Sequence, residues 1–157
     1  LLTLESAWES EALICYDGYE TNPLPPAVVA ALRYQWAANP SISSAFAQLH
    51  AAPWNIATEL ENVFLLSKIP EPIQAATLPA SYYNLIYFDA FAPEKQPELW
   101  TEAIFTQLYA AAAPGAVLVS YCAQGQFHRN LRAAGWHTEK LPGPPGKREM
   151  TRAVKRG

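Results

Sequence analysis

The sequence predicts an α/β domain: a mostly parallel sheet with helices on both faces and an antiparallel strand pair at the C-terminal end. Three observations predict it. Short apolar runs, rich in β-branched and aromatic residues, alternate with helix-like stretches along the chain. Prolines and glycines punctuate the boundaries between them. The last two strand-like runs, 136–141 and 149–155, flank Pro142-Gly143-Pro144-Pro145-Gly146, a rigid turn that sends the chain back beside itself.

The elements follow in order. LLTLESAWES reads as a helix. Residues 13–16 form a short apolar strand with the polar exit Gly18-Tyr19-Glu20. Pro25 and Pro26 open a helix through Leu32, since proline suits a first turn. Residues 40–54 are ambiguous, with a short helix over 44–51. Residues 62–69 read as a strand that Pro70 and Pro72 end. Residues 82–89 give the clearest strand, read as buried. Residues 101–113 form a helix that Thr101 caps and Pro114-Gly115 stops. Residues 116–122 are another buried strand, and residues 124–134 a helix with Gly135 beyond its end.

The length of 157 residues suits one domain spanning 1–157. Half the residues are hydrophobic and 16% charged, which excludes a disordered chain. No stretch is apolar for long enough to span a bilayer. Cys15 and Cys122 follow no metal-ligand spacing and read as buried free thiols, in keeping with a reducing cytoplasm. His50, His128 and His137 show no ligand spacing either, so core or surface roles are expected and no metal.

The net charge of −3 hides an asymmetry. Residues 1–128 carry three basic against twelve acidic side chains, a net of −9. Residues 129–157 carry eight basic against two acidic, a net of +6. A basic C-terminal face can meet phosphates; the plainer reading is a solvated surface. Arg129 and Arg132 stand at i and i+3 of a predicted helix, hence on one face. With Lys147, Arg148 and Arg152 they form the candidate phosphate-meeting patch.

In parallel sheets a ligand crevice lies beyond the carboxyl ends of the strands. Glu20 and Asp89 both follow such ends, which places two carboxylates on one rim of one sheet. Asp89 has two readings, a cap for the following proline loop or a group the strand was built to present. Phe91 and Pro93 would wall the space beside it, Tyr121 and Gln124 would border it, and Trp100 reads as a packing anchor. No glycine belongs to a G-x-G cluster at a strand-to-helix turn. The chain therefore reads as starting inside the domain, with the first strand and its glycine loop missing, an absence that would leave neighbouring strands with unpaired edges.

YFDAFAPEKQPELWT, GAVLVSYCAQGQFHRNLRAAGW and LPGPPGKREMTRA resemble the methyltransferase domain of the tRNA 5-methylaminomethyl-2-thiouridine biosynthesis family, the MnmC type, in its standalone form without a flavin oxidoreductase domain. The likeness is strong over residues 82–155 and extends more weakly to YDGYETNPLPPAVVAAL. It implies a class I, Rossmann-like fold and S-adenosyl-L-methionine as cofactor. It also implies methylation of the 5-aminomethyl group of the tRNA wobble uridine, with a separate flavin-dependent oxidoreductase in the same pathway. By this resemblance Glu20 holds the cofactor ribose, and Asp89 lies beside the methyl donor and the acceptor amine as the catalytic residue. Phe91 and Pro93 wall the cofactor site, Phe91 also stacks on the uracil, and Lys147 and Arg148 lie on the substrate side. KIPEPIQ has Glu71-Pro72 where the family often carries a Gly-Asp pair after the third strand. The alternatives are a class I methyltransferase of another amine, and a truncated, non-catalytic domain binding RNA or a partner.

Overall fold

The computed structural model describes residues 1–32, 40–143 and 145–157, so Pro144 of the predicted turn lies outside the described residues. The chain divides into two compact units, 1–75 and 76–157.

In the first unit, α1 (Leu2–Ser10) precedes β1 (Ile14–Tyr19), α2 (Pro26–Ala31), α3 (Pro40–Ala51), β2 (Thr58–Leu60) and β3 (Phe64–Ile69). β1 runs parallel to β3, and β2 runs antiparallel to β3. The sequence reading had one strand starting at residue 62; the structure replaces its start with a hairpin. Glu61 and Asn62 adopt positive φ (54° and 59°) and turn the chain between β2 and β3. Leu4 and Ala7 of α1 and Ala45 of α3 bury against Leu60, Phe64 and Leu66, and the Tyr16 ring stacks on Phe64 at 5.6 Å. Lys68 on β3 closes the end of α3: its ammonium donates to Leu49 O (3.2 Å) and His50 O (2.9 Å). A cation there satisfies carbonyls that the helix itself cannot. Cys15, read as buried, is exposed, because its side chain falls on the open face of the β1 pleat between half-buried Ile14 and Tyr16.

In the second unit, β4 (Tyr83–Tyr87) leads through a 3₁₀ turn (Pro97–Trp100) to α4 (Glu102–Ala111), then β5 (Ala112–Ser120), α5 (Gly125–Ala133), β6 (His137–Pro142) and β7 (Glu149–Val154). The sheet order is β4-β5-β7-β6. β4 and β5 are parallel, and β7 is antiparallel to both β5 and β6. The expected C-terminal hairpin is present.

Each unit holds one sheet with one parallel strand pair. Two expectations change here. β4 is not buried: it is the terminal strand of its sheet, and Leu85 and Tyr87 are 44% and 49% exposed. Leu85 and Tyr87, two residues apart, lie on one face of β4, and that face is exposed despite its apolar run. Finally, Pro114-Gly115 does not stop α4. The helix ends at Ala111, and the pair sits in a bulge of β5, where Tyr83 faces Ala112 but Leu85 faces Val117. Gly115 takes φ 79° there, a conformation that suits glycine.

The core of this unit is aromatic. Phe88, Trp100, Phe105 and Phe127 are all at most 8% exposed. Phe88 meets Trp100 at 5.0 Å and Phe105 at 5.2 Å, both edge-on. Trp136 packs edge-on to Tyr109 (5.4 Å) and donates its indole N–H to Phe105 O (3.0 Å). α5 ends as predicted: Gly135 takes φ 98°, and Trp136 N–H reaches back to Leu131 O (3.0 Å).

Candidate active site

The site is built around the segment after β4. Phe88 is the last anchored residue before it, with its ring in the aromatic core and its N–H donating to Val119 O (2.9 Å). Asp89 follows and is exposed. The next two carbonyls are each held by a side-chain donor: Tyr121 Oη donates to Ala90 O (2.8 Å), and Trp100 Nε1 donates to Phe91 O (2.8 Å). Phe91 N–H donates to Gln96 Oε1 (3.3 Å), and Lys95 N–H to Ala92 O (2.7 Å). Gln124 Nε2 adds a clasp to Glu94 Oε1 (2.7 Å). Asp89 therefore stands in solvent on a backbone fixed from both directions. Among the described residues no hydrogen bond or ion pair engages its carboxylate. The Phe91 ring is 73% exposed.

β5 ends at Ser120, so Tyr121 and Cys122 lie just beyond the strand rather than in it. Ser120 Oγ accepts from Cys122 N–H (3.3 Å) and shapes this exit. The N-terminal end of β7 arrives at the same place because it is antiparallel to β5, with Ser120 opposite Thr151. The turn before β7 is tight: Gly143 N–H donates to Arg148 O (3.2 Å), and a Cβ at Gly143 would fall 2.5 Å from Lys147 O. Only glycine fits that approach without a backbone shift.

These segments enclose a concavity of about 350 Å³ lined by Ala92, Pro93, Tyr121, Cys122, Ala123, Gln124, Lys147, Arg148 and Glu149. The Lys147 ammonium lies over the Tyr121 ring, 4.0 Å from its centroid. Glu149 is tied to Lys140 (2.7 Å), and that bond, with the charges of Lys140 and Arg148, lowers its pKa; Lys147 and Arg148 are the basic residues lining this concavity. Burial, then the charges of Cys122, Asp89 and Glu94, raises the Tyr121 pKa, so its hydroxyl keeps its proton. Burial also raises the Cys122 pKa, which argues against a thiolate nucleophile. Glu94 is lowered by its bond from Gln124.

The predicted site residues thus separate. Pro93, Lys147 and Arg148 line one concavity beside the Asp89–Phe91 segment. Arg129 and Arg132 line another, of about 270 Å³, with Gly125, His128, Thr138, Glu139 and Lys140. Arg129 bonds Gln126 Oε1 (2.7 Å) and Arg132 bonds Thr138 Oγ1 (2.8 Å). Arg152 leaves the expected patch: facing Glu139 across the hairpin, it is held in an ion pair. Glu20 lies in the first unit, directly after β1, where Oε1 accepts from Asn22 N–H (2.7 Å). Glu20 follows a strand of the first unit's sheet, and Asp89 follows a strand of the second unit's sheet. Tyr121 and Gln124, expected only to border the site, prove to hold it together. Among the described residues no cluster of His, Cys, Asp or Glu is placed to hold a metal, and no helix is long and apolar enough to cross a membrane.

Behind the concavity, Thr151 Oγ1 donates to Cys122 O (2.6 Å) and lies 2.9 Å from His128 Nε2. The threonine proton is thereby committed, so His128 must donate from Nε2. His128 is 5% exposed. Burial, then Arg132 and Lys140, lowers its pKa, against a smaller raising effect of Glu149. The unfolded chain then binds more protons than the folded one as pH falls through about 6.5. Stability is full above that value and declines below it. Tm measured from pH 7.5 down to 5 should fall, and His128→Gln, which retains a donor, should flatten most of that slope. An unchanged slope would remove His128 as its source; His50 shifts the same way but is exposed and contributes less.

The profile of an S-adenosyl-L-methionine-dependent methyltransferase family matches residues 38–156. The tRNA 5-methylaminomethyl-2-thiouridine biosynthesis bifunctional protein MnmC of Ectopseudomonas mendocina is 44% identical over 64 residues, which cover 41% of this chain and 10% of that protein. The protein of the same name from Aeromonas hydrophila is 35% identical over 86 residues, 55% of this chain and 12% of that one. The crystal structure of MNMC2 from Aquifex aeolicus superposes with a TM-score of 0.71 at 20% identity, covering 97% of this chain and 48% of that one, a likeness of fold. The matches thus span about a tenth of the curated relatives and about half of the solved chain. The chain belongs to the S-adenosyl-L-methionine-dependent methyltransferase family whose profile it matches.

Proposed function

We propose that the chain moves a methyl group from S-adenosyl-L-methionine to the 5-aminomethyl nitrogen of a modified wobble uridine in tRNA. The observation that carries this reading is the anchored, exposed Asp89 beside a concavity whose basic residues are Lys147 and Arg148. The names of the relatives point the same way.

Bound S-adenosyl-L-methionine supplies a methyl group made electrophilic by its sulfonium. Glu20 fits the ribose end: one carboxylate oxygen accepts from Asn22 N–H, and among the described residues the other is left to accept from a diol. Asp89 accepts a hydrogen bond from the acceptor amine and aims its lone pair. An alkylamine has a pKa of about 10, so the site must select the neutral form. An exposed aspartate is a weak base, and orientation is its larger contribution. As the N–C bond forms, the donor's S–CH3 bond breaks to leave a neutral thioether, and the nitrogen becomes a cationic secondary ammonium, which the carboxylate stabilises and which then loses its proton to solvent. Phe91 offers an exposed face for the uracil, and Pro93 walls the site. Lys147 and Arg148 meet phosphates near the reacting nucleotide, and Arg129 and Arg132 meet phosphates farther along. The acceptor amine is supplied by a flavin-dependent oxidoreductase activity of the same pathway, and the reaction is cytoplasmic, where tRNA resides.

The test is transfer of labelled methyl to tRNA bearing the 5-aminomethyl group, set against free alkylamines. Transfer to tRNA is expected; transfer to free amines alone would sink the reading. Replacing Arg129 or Lys147 with glutamine should reduce the slope of log affinity against log salt by about 1 per lost phosphate contact. An unchanged slope would take that residue out of the RNA interface.

A further inference from the structure

We propose that Tyr121 is a positioning residue for methyl transfer, holding through its hydroxyl the Ala90 carbonyl, one residue past Asp89, and so aiming the carboxylate. The inference rests on the methyl-transfer reading. Its starting point is that Asp89 is exposed, yet its direction is set by the dihedrals on either side. Upstream the fixing is thorough: Phe88 is buried and its N–H is bonded to Val119 O. Downstream, the peptide joining Asp89 to Ala90 leads into a carbonyl, Ala90 O, whose side-chain donor is Tyr121 Oη at 2.8 Å across 31 residues of sequence. Trp100 grips only the next carbonyl, Phe91 O.

Tyr121 is not in the aromatic core. It is half-buried, one residue past the end of β5, with the Trp100 ring edge-on at 6.2 Å and the Lys147 ammonium over its face. A phenylalanine would make both ring contacts, so packing alone leaves the hydroxyl unexplained. The hydroxyl donates its single proton to Ala90 O and keeps that proton because burial and the neighbouring carboxylates raise its pKa. It therefore has no proton to give a substrate, which makes Tyr121 a positioning group rather than an acid.

Tyr121→Phe separates these roles. Expected are a fall in kcat of about tenfold or more, since small misplacements of a catalytic group are costly, a cofactor KM within about twofold, and a pH–rate profile of unchanged shape. Wild-type kcat, or a lost limb of the pH profile, would overturn the proposal. A second readout needs no activity. Amide exchange at Phe91 and Ala92 should quicken about tenfold in Tyr121→Phe while Phe105 and Leu118 exchange as in the wild type; unchanged loop exchange would overturn the proposal. A wild-type chain that transfers no methyl group would count against the methyl-transfer reading, and the exchange result would still decide whether Tyr121 holds the loop.

Discussion

Asp89→Asn should lower kcat for methyl transfer by at least about 100-fold while leaving the fold intact. Asparagine is nearly isosteric and the native carboxylate has no hydrogen-bond partner to lose among the described residues, so Tm should move by no more than about 2 °C. The chemistry is more exposed to the change. An asparagine can still accept a hydrogen bond from the amine through its carbonyl oxygen, but it no longer opposes the positive charge that grows on nitrogen as the bond forms. It can also present its amide donors to the lone pair and misdirect it. Charge stabilisation and orientation together are typically worth two to four orders of magnitude. The wild-type rate should rise with pH toward the acceptor pKa of about 10, because the neutral amine is the reactant. The variant should keep that rise at a lower level, since the titrating group belongs to the substrate. Turnover within threefold of wild type would exclude Asp89 from the mechanism.

The sequence exposed the parts of the molecule governed by local rules. A run of apolar residues ending in Asp-Ala-Phe-Ala-Pro located the loop that carries Asp89, and Thr101 proved to be the cap of α4, accepting from Ile104 N–H at 3.5 Å. Gly135 ended α5 for the expected reason. What stayed hidden depended on partners distant in sequence. Nothing within residues 82–89 reveals that β4 is a sheet edge. The pairing of Arg152 with Glu139 is set by the register of β6 on β7, which no spacing of charges specifies. Tyr121 and Gln124 were visible as residues near a strand end; their grip on Ala90 O and Glu94 requires that β4 and β5 lie side by side, a consequence of parallel pairing across some 30 residues. The short strand β2 was missed because its turn uses Glu61 and Asn62 at positive φ without a glycine.

Trp100→Ala should be the most destabilising substitution near the site, by about 3–5 kcal/mol. The indole is 5% exposed and lies edge-on to Phe88 and Phe127, each at 5.0 Å. Truncation opens a void between two rings anchored directly after β4 and in α5, so neither side can close over it cheaply. It also removes the donor to Phe91 O, although that carbonyl belongs to an exposed residue and water can replace the bond. The ordinary margin of a domain is about 5–15 kcal/mol, so Tm should fall by at least about 10 °C. Trp100→Phe divides the effect: it retains most of the packing and deletes the N–H, and should cost about 1–2 kcal/mol. The same pair of variants tests the division of labour along this loop. If Trp100 serves architecture, activity lost in Trp100→Phe should be smaller than in Tyr121→Phe, although Trp100→Phe is the less stable protein. Stability and turnover would then separate at two aromatic residues whose rings lie 6.2 Å apart. A Trp100→Ala protein within 1 kcal/mol of wild type would mean that the cluster beneath Asp89 is held chiefly by Phe105 and Phe127, and that the loop does not depend on the indole for its position.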